Sequence, residues 1–305
     1  MRSSVLLLGL VAGLAACVTP ANESTAIREI IGGETASPAD FPSVVALEDA
    51  PGSWFCTGTL ITSDWVLTAA HCIEETAGTM SVRFGDPDVN DADGGTAVEV
   101  AVIHSHPDFD WESEAWDNDI AMLRLATPVT DRAPTAIHRE PVPAATTVLD
   151  VGYGVEDNND AGGGLLRKVE KKTADCAGAD DPGAVNENVL CMDASDGRGS
   201  CFGDSGGPTF ATVGDQRVVV GVTSGGTGDF CGAGWDIYTS VHGELAFIDA
   251  ILALPAPIPP DDEQDPDAGD DESDGGCNTG GASGGLALAL VLALAATARR
   301  RRRRG

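Results

Sequence analysis

The stretch CFGDSGGPTF, residues 201–210, places a serine between an aspartate and two glycines, with a proline directly after them. Small residues on both sides of a hydroxyl favour a tight turn whose backbone comes close to another group. Such a turn is either structural or the position of a nucleophile. A serine hydroxyl is a poor nucleophile at neutral pH, so it needs a histidine as base and an acid that orients the histidine.

A histidine and an aspartate that fit these roles occur upstream. His71 ends the β-rich segment WVLTAAHC (65–72), and Asp119 directly precedes the apolar run IAMLRL (120–125). An aspartate in that place either is buried at the mouth of a strand or merely begins the strand. Surface or structural roles are favoured for the remaining histidines, which are His104, His106, His138 and His242.

Short β-rich segments recur along the chain, and long amphipathic helices are scarce. The segments are SVVAL (43–47), TGTLIT (57–62), WVLTAA (65–70), AVEVAVI (97–103), IAMLRL (120–125) and RVVVGVTS (217–224). Gly, Asp, Asn and Pro interrupt them at short intervals, which predicts an antiparallel barrel or sandwich. Only SVHGELAFIDAILA (240–253) has helical spacing, with Leu245, Ile248, Ile251 and Leu252 on one side.

Both ends of the chain read as sorting segments. Residues 1–17 have one Arg, an apolar run and small residues, as in a signal peptide, and Leu14-Ala15-Ala16-Cys17 also resembles a lipobox. Residues 255–276 form a Pro/Asp linker with nine acids and no base. Residues 277–305 contain Cys277, an apolar segment and six arginines. This order resembles the MYXO-CTERM type of sorting tail, and a plain C-terminal membrane anchor is the alternative.

The region between these segments, residues 30–254, is strongly acidic. It carries 37 acidic and 10 basic residues, a net charge of −27. Such a charge disfavours nucleic acid as a partner. Six of the eight cysteines lie in this region, and an even number in an exported chain favours disulfides over a metal site, since no CxxC pair is present. These six are Cys56, Cys72, Cys176, Cys191, Cys201 and Cys231.

Four segments together resemble the trypsin/chymotrypsin family of serine endopeptidases. They are IIGG (30–33), LTAAHC (67–72), DNDIAML (117–123) and GDSGGP (203–208), and they occur in the family's order of His, Asp and Ser. The resemblance implies an all-β fold of two six-stranded antiparallel β-barrels with a short C-terminal helix. The active site would lie in the cleft between the barrels.

The resemblance also implies the roles of individual residues. Ser205 would be the nucleophile, His71 the base and Asp119 the group that orients the imidazole. The backbone N–H groups of Gly203 and Ser205 would form the oxyanion hole. Ser224 would hydrogen-bond to the triad aspartate, and residues 224–226, which end at Gly226, would pair with the substrate as a strand. The disulfides would be Cys56–Cys72, Cys176–Cys191 and Cys201–Cys231.

Activation from a zymogen follows from the same resemblance. Asp204 would pair with a new α-amino group on Ile30, formed when a propeptide of residues 18–29 is cleaved off. A buried charge needs such a partner. The residue before Ile30 is Glu29, whereas Arg28 is one position earlier. We therefore expect either a glutamate-specific activating protease or trimming of Glu29 after a cut at Arg28.

Two positions bear on specificity for the side chain before the cleaved bond. The resemblance places Gly199 at the base of the primary pocket, where an aspartate would select Arg and Lys. Asp236 stands at a wall position that is usually glycine, so it is predicted to supply a displaced carboxylate. The alternative is that Asp236 turns away and leaves an open pocket. The resemblance also implies a wall tryptophan after Ser224, where this chain has Gly225, and this suggests a roomier cleft.

An acidic loop, FGDPDVNDADGG (84–95), raises the question of a Ca²⁺ site. Its carboxylates suit a hard cation, although their spacing does not match an EF-hand, and a solvated acidic loop is the favoured alternative. The candidate ligands are Asp86, Asp88, Asp91 and Asp93. No other cofactor is expected.

The sequence therefore predicts an exported serine endopeptidase made as a zymogen. Its expected location is the extracellular space or the outer surface of a Gram-negative-type bacterium. Its expected partners are a peptide or protein substrate, an activating protease, and a membrane reached through the C-terminal helix or an N-terminal lipid. The main alternative is a catalytically silent homologue that acts as a binding module. An α/β-hydrolase esterase is disfavoured because its Ser-before-His order is absent.

Overall fold

The computed structural model describes residues 30–255, except 75–78, 114–115, 160, 180, 182 and 184–185. The predicted terminal segments before residue 30 and after residue 255 lie outside the described residues. The elements are β1 (Glu34–Thr35), β2 (Val44–Ala50), β3 (Ser53–Leu60), β4 (Trp65–Thr68), α1 (His71–Glu74), β5 (Ser81–Phe84), β6 (Thr96–Ser105), β7 (Ala121–Leu125), β8 (Thr147–Gly152), β9 (Arg167–Ala174), a 3-10 helix (Cys176–Ala179), β10 (Val189–Asp193), β11 (Pro208–Val213), β12 (Gln216–Gly226), β13 (Trp235–Ser240) and α2 (Leu245–Leu252).

Strands β2 to β7 close into an antiparallel barrel in the order β2-β3-β4-β7-β6-β5. Strand β4 shows why this sequence makes a barrel interior, because all four residues of WVLT are buried. Its β-branched and aromatic side chains suit a pleated, packed surface. The strand pairs with β3 through Leu60 and Val66 and with β7 through Val66 and Leu123.

The remaining strands form a seven-stranded antiparallel sheet in the order β1-β9-β10-β13-β12-β11-β8. Strands β8 and β9 also pair, from Thr147 opposite Lys172 to Gly152 opposite Arg167. This pairing closes six of the strands on themselves, and the two-residue strand β1 is added beside β9. The predicted fold class is therefore confirmed, with one extra short strand beside the second barrel.

The two barrels share one apolar core. The largest cluster of buried side chains includes Leu47, Leu67 and Leu123 from the first barrel together with Phe210 and Val222 from the second. Burial of such side chains is the main favourable term in folding. The contact brings the ends of β3 and β4 next to the loop that precedes β11, and this is where the site lies.

Helix α2 is shorter than the spacing of SVHGELAFIDAILA predicts. It begins at Leu245 and ends at Leu252, and Ile248 is its fully buried residue. The preceding residues 241–244 form turns, and the backbone N–H of Glu244 donates to the Ser240 carbonyl at 3.2 Å. None of the described helices has the length and apolar character needed to cross a membrane.

The six cysteines are joined as the resemblance implies, in the pairs Cys56–Cys72, Cys176–Cys191 and Cys201–Cys231. The first bridge ties β3 to the residue after His71. The third ties the serine loop to the segment before β13. Both bridges therefore fix segments that border the site.

Candidate active site

The loop between β10 and β11 presents Ser205, and hydrogen bonds from both barrels fix this loop. The backbone N–H of Thr57 in β3 donates to the Ser205 carbonyl at 2.8 Å. The N–H of Gly206 donates to the Thr223 carbonyl at 2.8 Å. Gly206 has φ +76°, and a Cβ there would lie 2.0 Å from Thr68 Oγ1, so only glycine fits. The hydroxyl of Ser205 therefore sits on a backbone held from two sides.

Asp119 orients His71 through two hydrogen bonds. Its Oδ2 lies 2.7 Å from His71 Nδ1, and its Oδ1 accepts the backbone N–H of His71 at 2.9 Å. The Ser224 hydroxyl donates to the same Oδ2 at 2.6 Å. Both Asp119 and His71 are buried. Three such contacts satisfy the buried carboxyl group and hold the imidazole ring in one orientation.

The tautomer of His71 follows from this contact. A carboxylate only accepts hydrogen bonds, so the proton of the neutral imidazole is on Nδ1. Nε2 is then left with a free lone pair. Nε2 lies 3.7 Å from Cys72 Sγ, and His71 and Ser205 line the same cleft.

The backbone of Gly203 is shaped by neighbours from the first barrel. Gly203 has φ +93°, and a Cβ there would lie 2.3 Å from Trp54 Cζ3. Its carbonyl accepts the Thr57 hydroxyl at 2.8 Å. The Gly203 carbonyl is thereby anchored to β3, and both Gly203 and Ser205 line the cleft.

The cleft has a volume of about 550 Å³ and an aromatic rim. Trp111, Phe202 and Phe230 line it while being 61%, 67% and 58% exposed, and Phe55 also contributes. The Trp111 ring lies 5.5 Å from the His71 ring. Exposed aromatic side chains around a concave site suit contact with an extended polypeptide.

Asp236 lines this cleft, and Gly199 lies directly beside it; we call the part of the cleft at Asp236 the primary pocket. Asp236 is 4% exposed, and its Oδ2 accepts the backbone N–H of Ser200 at 3.1 Å. A Cβ on residue 199 would lie 2.0 Å from that oxygen. The Asp236 carboxyl therefore occupies the space that a side chain at position 199 would need.

The charge state of Asp236 depends on pH near neutrality. Burial and repulsion by Asp150 raise the pKa of its carboxyl to about 7, while the Ser200 N–H and the Lys171 ammonium oppose the rise. Burial destabilises a carboxylate more than a carboxylic acid, which explains the direction of the shift. A cation entering the primary pocket would favour the ionised form.

Asp204 is fully buried behind the serine loop. Its oxygens accept the backbone N–H groups of Gly154 at 2.8 Å and Cys201 at 2.9 Å. Burial raises the pKa of its carboxyl to about 7, against the effect of these two donors. The side chain of Ile30 is also buried, and the Ile31 carbonyl accepts the N–H of Gly199 at 2.9 Å. The segment after Ile30 therefore packs against the wall of the primary pocket.

The acidic loop is organised around an arginine. The Arg83 guanidinium makes a two-point contact with Glu48, at 2.6 and 3.1 Å, and donates to the carbonyls of Ala92 and Gly94. Asp86 lies 4.0 Å from the same group. Within the described part of the chain, the candidate calcium ligands form no cluster of three side chains that could hold a metal ion.

One metal-like cluster does occur among the described residues, and it is not a metal site. It consists of Cys56, His71 and Cys72. The two sulfur atoms form a disulfide, so neither is available as a thiolate ligand.

Several neighbours of the site carry no recognisable sequence signal. Thr239 donates to the backbone carbonyl of Asp119 at 2.8 Å, and Thr57 contacts both Gly203 and the N–H of Tyr153. A threonine within a strand is too common to be singled out. The exposed aromatic residues of the rim would have been noticed only by asking which large apolar side chains lie in loops.

A buried His–Asp pair beside a serine on a tight glycine loop, in a cleft next to two β-barrels, is the arrangement of a serine peptidase. The family model "Trypsin" matches residues 30–251, and the chain therefore belongs to the trypsin family. It is also similar to "Brachyurin" of Leptuca pugilator, with 34% identity over 220 residues that cover 70% of this chain and 93% of the relative. The chain is a serine-type endopeptidase.

Proposed function

We propose that this enzyme cleaves peptide bonds by a Ser-His-Asp acyl-enzyme mechanism. Ser205 Oγ attacks the substrate carbonyl carbon while His71 Nε2 takes the hydroxyl proton. His71 then gives this proton to the leaving amine, and an acyl-enzyme on Ser205 remains. A water molecule attacks the acyl-enzyme with His71 again as base, which frees the acid product and restores the serine.

The contacts of Asp119 are the observation that carries this proposal. Three donors converge on its carboxylate, from the His71 ring, the His71 backbone and Ser224. They fix the position of the carboxylate, which stabilises the imidazolium that forms during attack. A catalytically silent relative has no comparable need for a buried charge aimed at a histidine.

The oxyanion that forms in the attack is proposed to bind the backbone N–H groups of Gly203 and Ser205. The positive φ of Gly203 and the position of both residues in the lining of the cleft support this. One donor of this kind typically contributes about 3 kcal/mol to the transition state.

A covalent probe tests the mechanism directly. The full chain, with an enteropeptidase site placed immediately before Ile30, is cleaved and exposed to a fluorophosphonate, and Ser205→Ala is the control. We expect labelling only in the cleaved chain that has the serine. A folded, cleaved chain that stays unlabelled, with unfolding temperature equal to that of the Ser205→Ala protein, would support the silent binding module instead.

The proposed preference is for Lys and Arg before the cleaved bond. Asp236 supplies the carboxylate, from a wall of the primary pocket rather than from position 199. Its burial and the close approach of Gly199 support this assignment. Replacing Asp236 with Asn and profiling cleavage tests it, because an unchanged preference for basic residues would contradict the assignment.

Activation is proposed to follow cleavage after Glu29. The new ammonium group of Ile30 would pair with Asp204, whose buried carboxylate otherwise lacks a counter-charge strong enough to keep its pKa low. N-terminal sequencing of the mature enzyme tests this. An active form that begins at any residue other than Ile30 would contradict it.

Export and surface attachment are proposed from the terminal sequences. The signal-like residues 1–17 and the basic tail 277–305 support secretion followed by retention at a bacterial surface. Fractionation of cells that express the full chain, compared with a chain that lacks residues 277–305, tests this. Equal release of both chains into the medium would refute retention by the tail.

A further inference from the structure

A second cavity lies beside the primary pocket, and its lining is aromatic and acidic. It has a volume of about 670 Å³. We call it the aspartate-rich cavity. It is lined by Phe109, Asp110, Trp111, Ser113, Trp116, Asp117, Asp119, Asp181, Ser224 and Gly225, a set of described residues without Lys, Arg or His.

The two cavities share a wall. Trp111, Ser224 and Gly225 line both of them. A peptide that pairs with residues 224–226 in extended form advances about 3.3 Å per residue, and its successive side chains point to opposite faces. With one side chain in the primary pocket, a side chain on the N-terminal part of the peptide, which pairs with residues 224–226, comes next to the aspartate-rich cavity, because Ser224 and Gly225 line both cavities.

The tryptophan wall is firmly positioned. The indole N–H of Trp116 donates to Asp181 Oδ2 at 2.9 Å, and Asp181 Oδ1 accepts the N–H of Gly183 at 2.9 Å. A Cβ on residue 225 would lie 2.7 Å from Trp116 Cζ3. The ring therefore lies directly against the backbone that is expected to pair with substrate, and it replaces the side chain that Gly225 lacks.

The charge of the cavity selects the kind of side chain that binds. Asp119 is committed to His71 and Ser224, but Asp110, Asp117 and Asp181 add carboxylates that no cation of the lining offsets. Each carboxylate oxygen can accept more than one hydrogen bond, so Asp181 keeps acceptor capacity after binding Trp116 and Gly183. An apolar side chain would remove water from these carboxylates and leave the free-energy cost of their desolvation uncompensated. A cationic side chain would offset that cost through its charge and its hydrogen bonds.

We propose that the aspartate-rich cavity binds a Lys or Arg side chain of the substrate, at a position N-terminal to the residue in the primary pocket. The aliphatic part of that side chain lies along Trp111 and Trp116, and its charged end meets Asp181 and Asp117. Cation–π contact and the carboxylates then act on the same group. This inference rests on the proposed function, and it makes the preferred substrate basic at two positions.

Positional profiling tests the proposal. The full chain, activated at Ile30, is given peptide libraries with Lys before the cleaved bond and one varied position upstream. We expect kcat/KM to be about tenfold higher with Lys or Arg than with Ala or Leu at one upstream position, as cation–π and carboxylate contacts of this kind allow. We also expect this ratio to fall as the salt concentration rises.

Matched variants assign the effect to the cavity. Asp181→Asn keeps a hydrogen-bond acceptor for Trp116 but removes the charge, and it should lower the Lys/Ala ratio at that position at least about threefold. Trp111→Leu tests the aromatic face at a residue whose exposure makes a folding defect improbable. Asp215→Asn, in the exposed turn between β11 and β12, should leave the ratio unchanged.

The outcomes separate this proposal from the proposed function. Cleavage of the libraries without upstream preference for Lys or Arg, or with a preference that Asp181→Asn and Trp111→Leu both leave intact, overturns the basic subsite while the peptidase remains. Preference for apolar residues upstream also overturns it. No cleavage of any library, together with no fluorophosphonate labelling, contradicts the proposed function itself.

Discussion

Preference for a basic residue should rise with pH in a way that the buried Asp236 controls. Only the ionised carboxylate attracts a Lys side chain, and the pKa of Asp236 is raised to about 7. The ionised fraction of such a group is about 3% at pH 5.5 and about 97% at pH 8.5. The ratio of kcat/KM for a Lys substrate to that for a Leu substrate should therefore rise about 30-fold over this range.

The assay uses two peptides that differ only in Lys or Leu before the cleaved bond, both with alanines upstream. Any pH dependence of the catalytic step itself is common to both substrates and cancels in the ratio. The profile of kcat/KM reports on groups of the free enzyme, in which Asp236 is not yet paired with substrate. The midpoint of the ratio is thus a measure of the Asp236 pKa.

The control is Asp236→Asn, which keeps a polar group of similar size and removes the titrating charge. Its Lys/Leu ratio should be low and independent of pH. A wild-type ratio that is high at pH 5.5 and flat up to pH 8.5 would refute the reasoning, because an anion with a low pKa would then be selecting Lys. A flat, low ratio would show that the carboxyl does not face the substrate.

Three further changes have defined expected results. Gly199→Ala should lower kcat/KM for Lys substrates more than for Leu substrates, because the new Cβ would displace the Asp236 carboxyl; an equal loss for both would contradict this. Replacing Cys176 and Cys191 together with serine should lower the free energy of unfolding by about 3 kcal/mol, as expected for a bridge of this loop length, and denaturant unfolding measures it. Glu244→Gln should raise the melting temperature at pH 8 and leave it nearly unchanged at pH 5. The pKa of this buried carboxyl is raised to about 7, so its contribution to stability is lost as pH rises from about 4.5 through 7; a larger effect at pH 5 would contradict this sign.

The fold could be predicted from the sequence where apolar alternation is strong. The segments around β4 and β7 were identified as strands because their residues are almost continuously apolar. Strand β9, RKVEKKTA, is not identified as a strand by its sequence, although its side chains alternate between buried and more exposed positions. Its buried positions include Arg167 and Lys171, and Lys171 is held by the Asp193 carbonyl, Asp196 and the Arg198 carbonyl. Contacts distant in sequence stabilise these charges, so no local pattern shows them.

The site could be predicted to the extent that it depends on motifs. His71, Asp119 and Ser205 stand in short segments whose residue types the chemistry requires. Trp116 and Asp181 belong to no such motif. Their hydrogen bond joins residues 65 positions apart, so no local pattern predicts it. In the acidic loop, too, the local sequence does not show which group lies beside the aspartates. Its aspartates raised the question of a cation site, with a solvated loop favoured, and the Arg83 guanidinium that lies 4.0 Å from Asp86 comes from a strand that the sequence did not single out.

The buried carboxyls of the second barrel connect specificity with activation. Asp150 raises the pKa of both Asp204 and Asp236, and Asp204 also raises the pKa of Asp236. An ammonium group on Ile30 that pairs with Asp204 would cancel that second repulsion, because the pair has no net charge. The Asp236 carboxylate should then form more easily in the cleaved enzyme than in its precursor. The midpoint of the Lys/Leu ratio in the active enzyme is accordingly expected at about pH 7 or slightly lower, and a midpoint above about 7.5 would mean that the Ile30 ammonium does not reach Asp204.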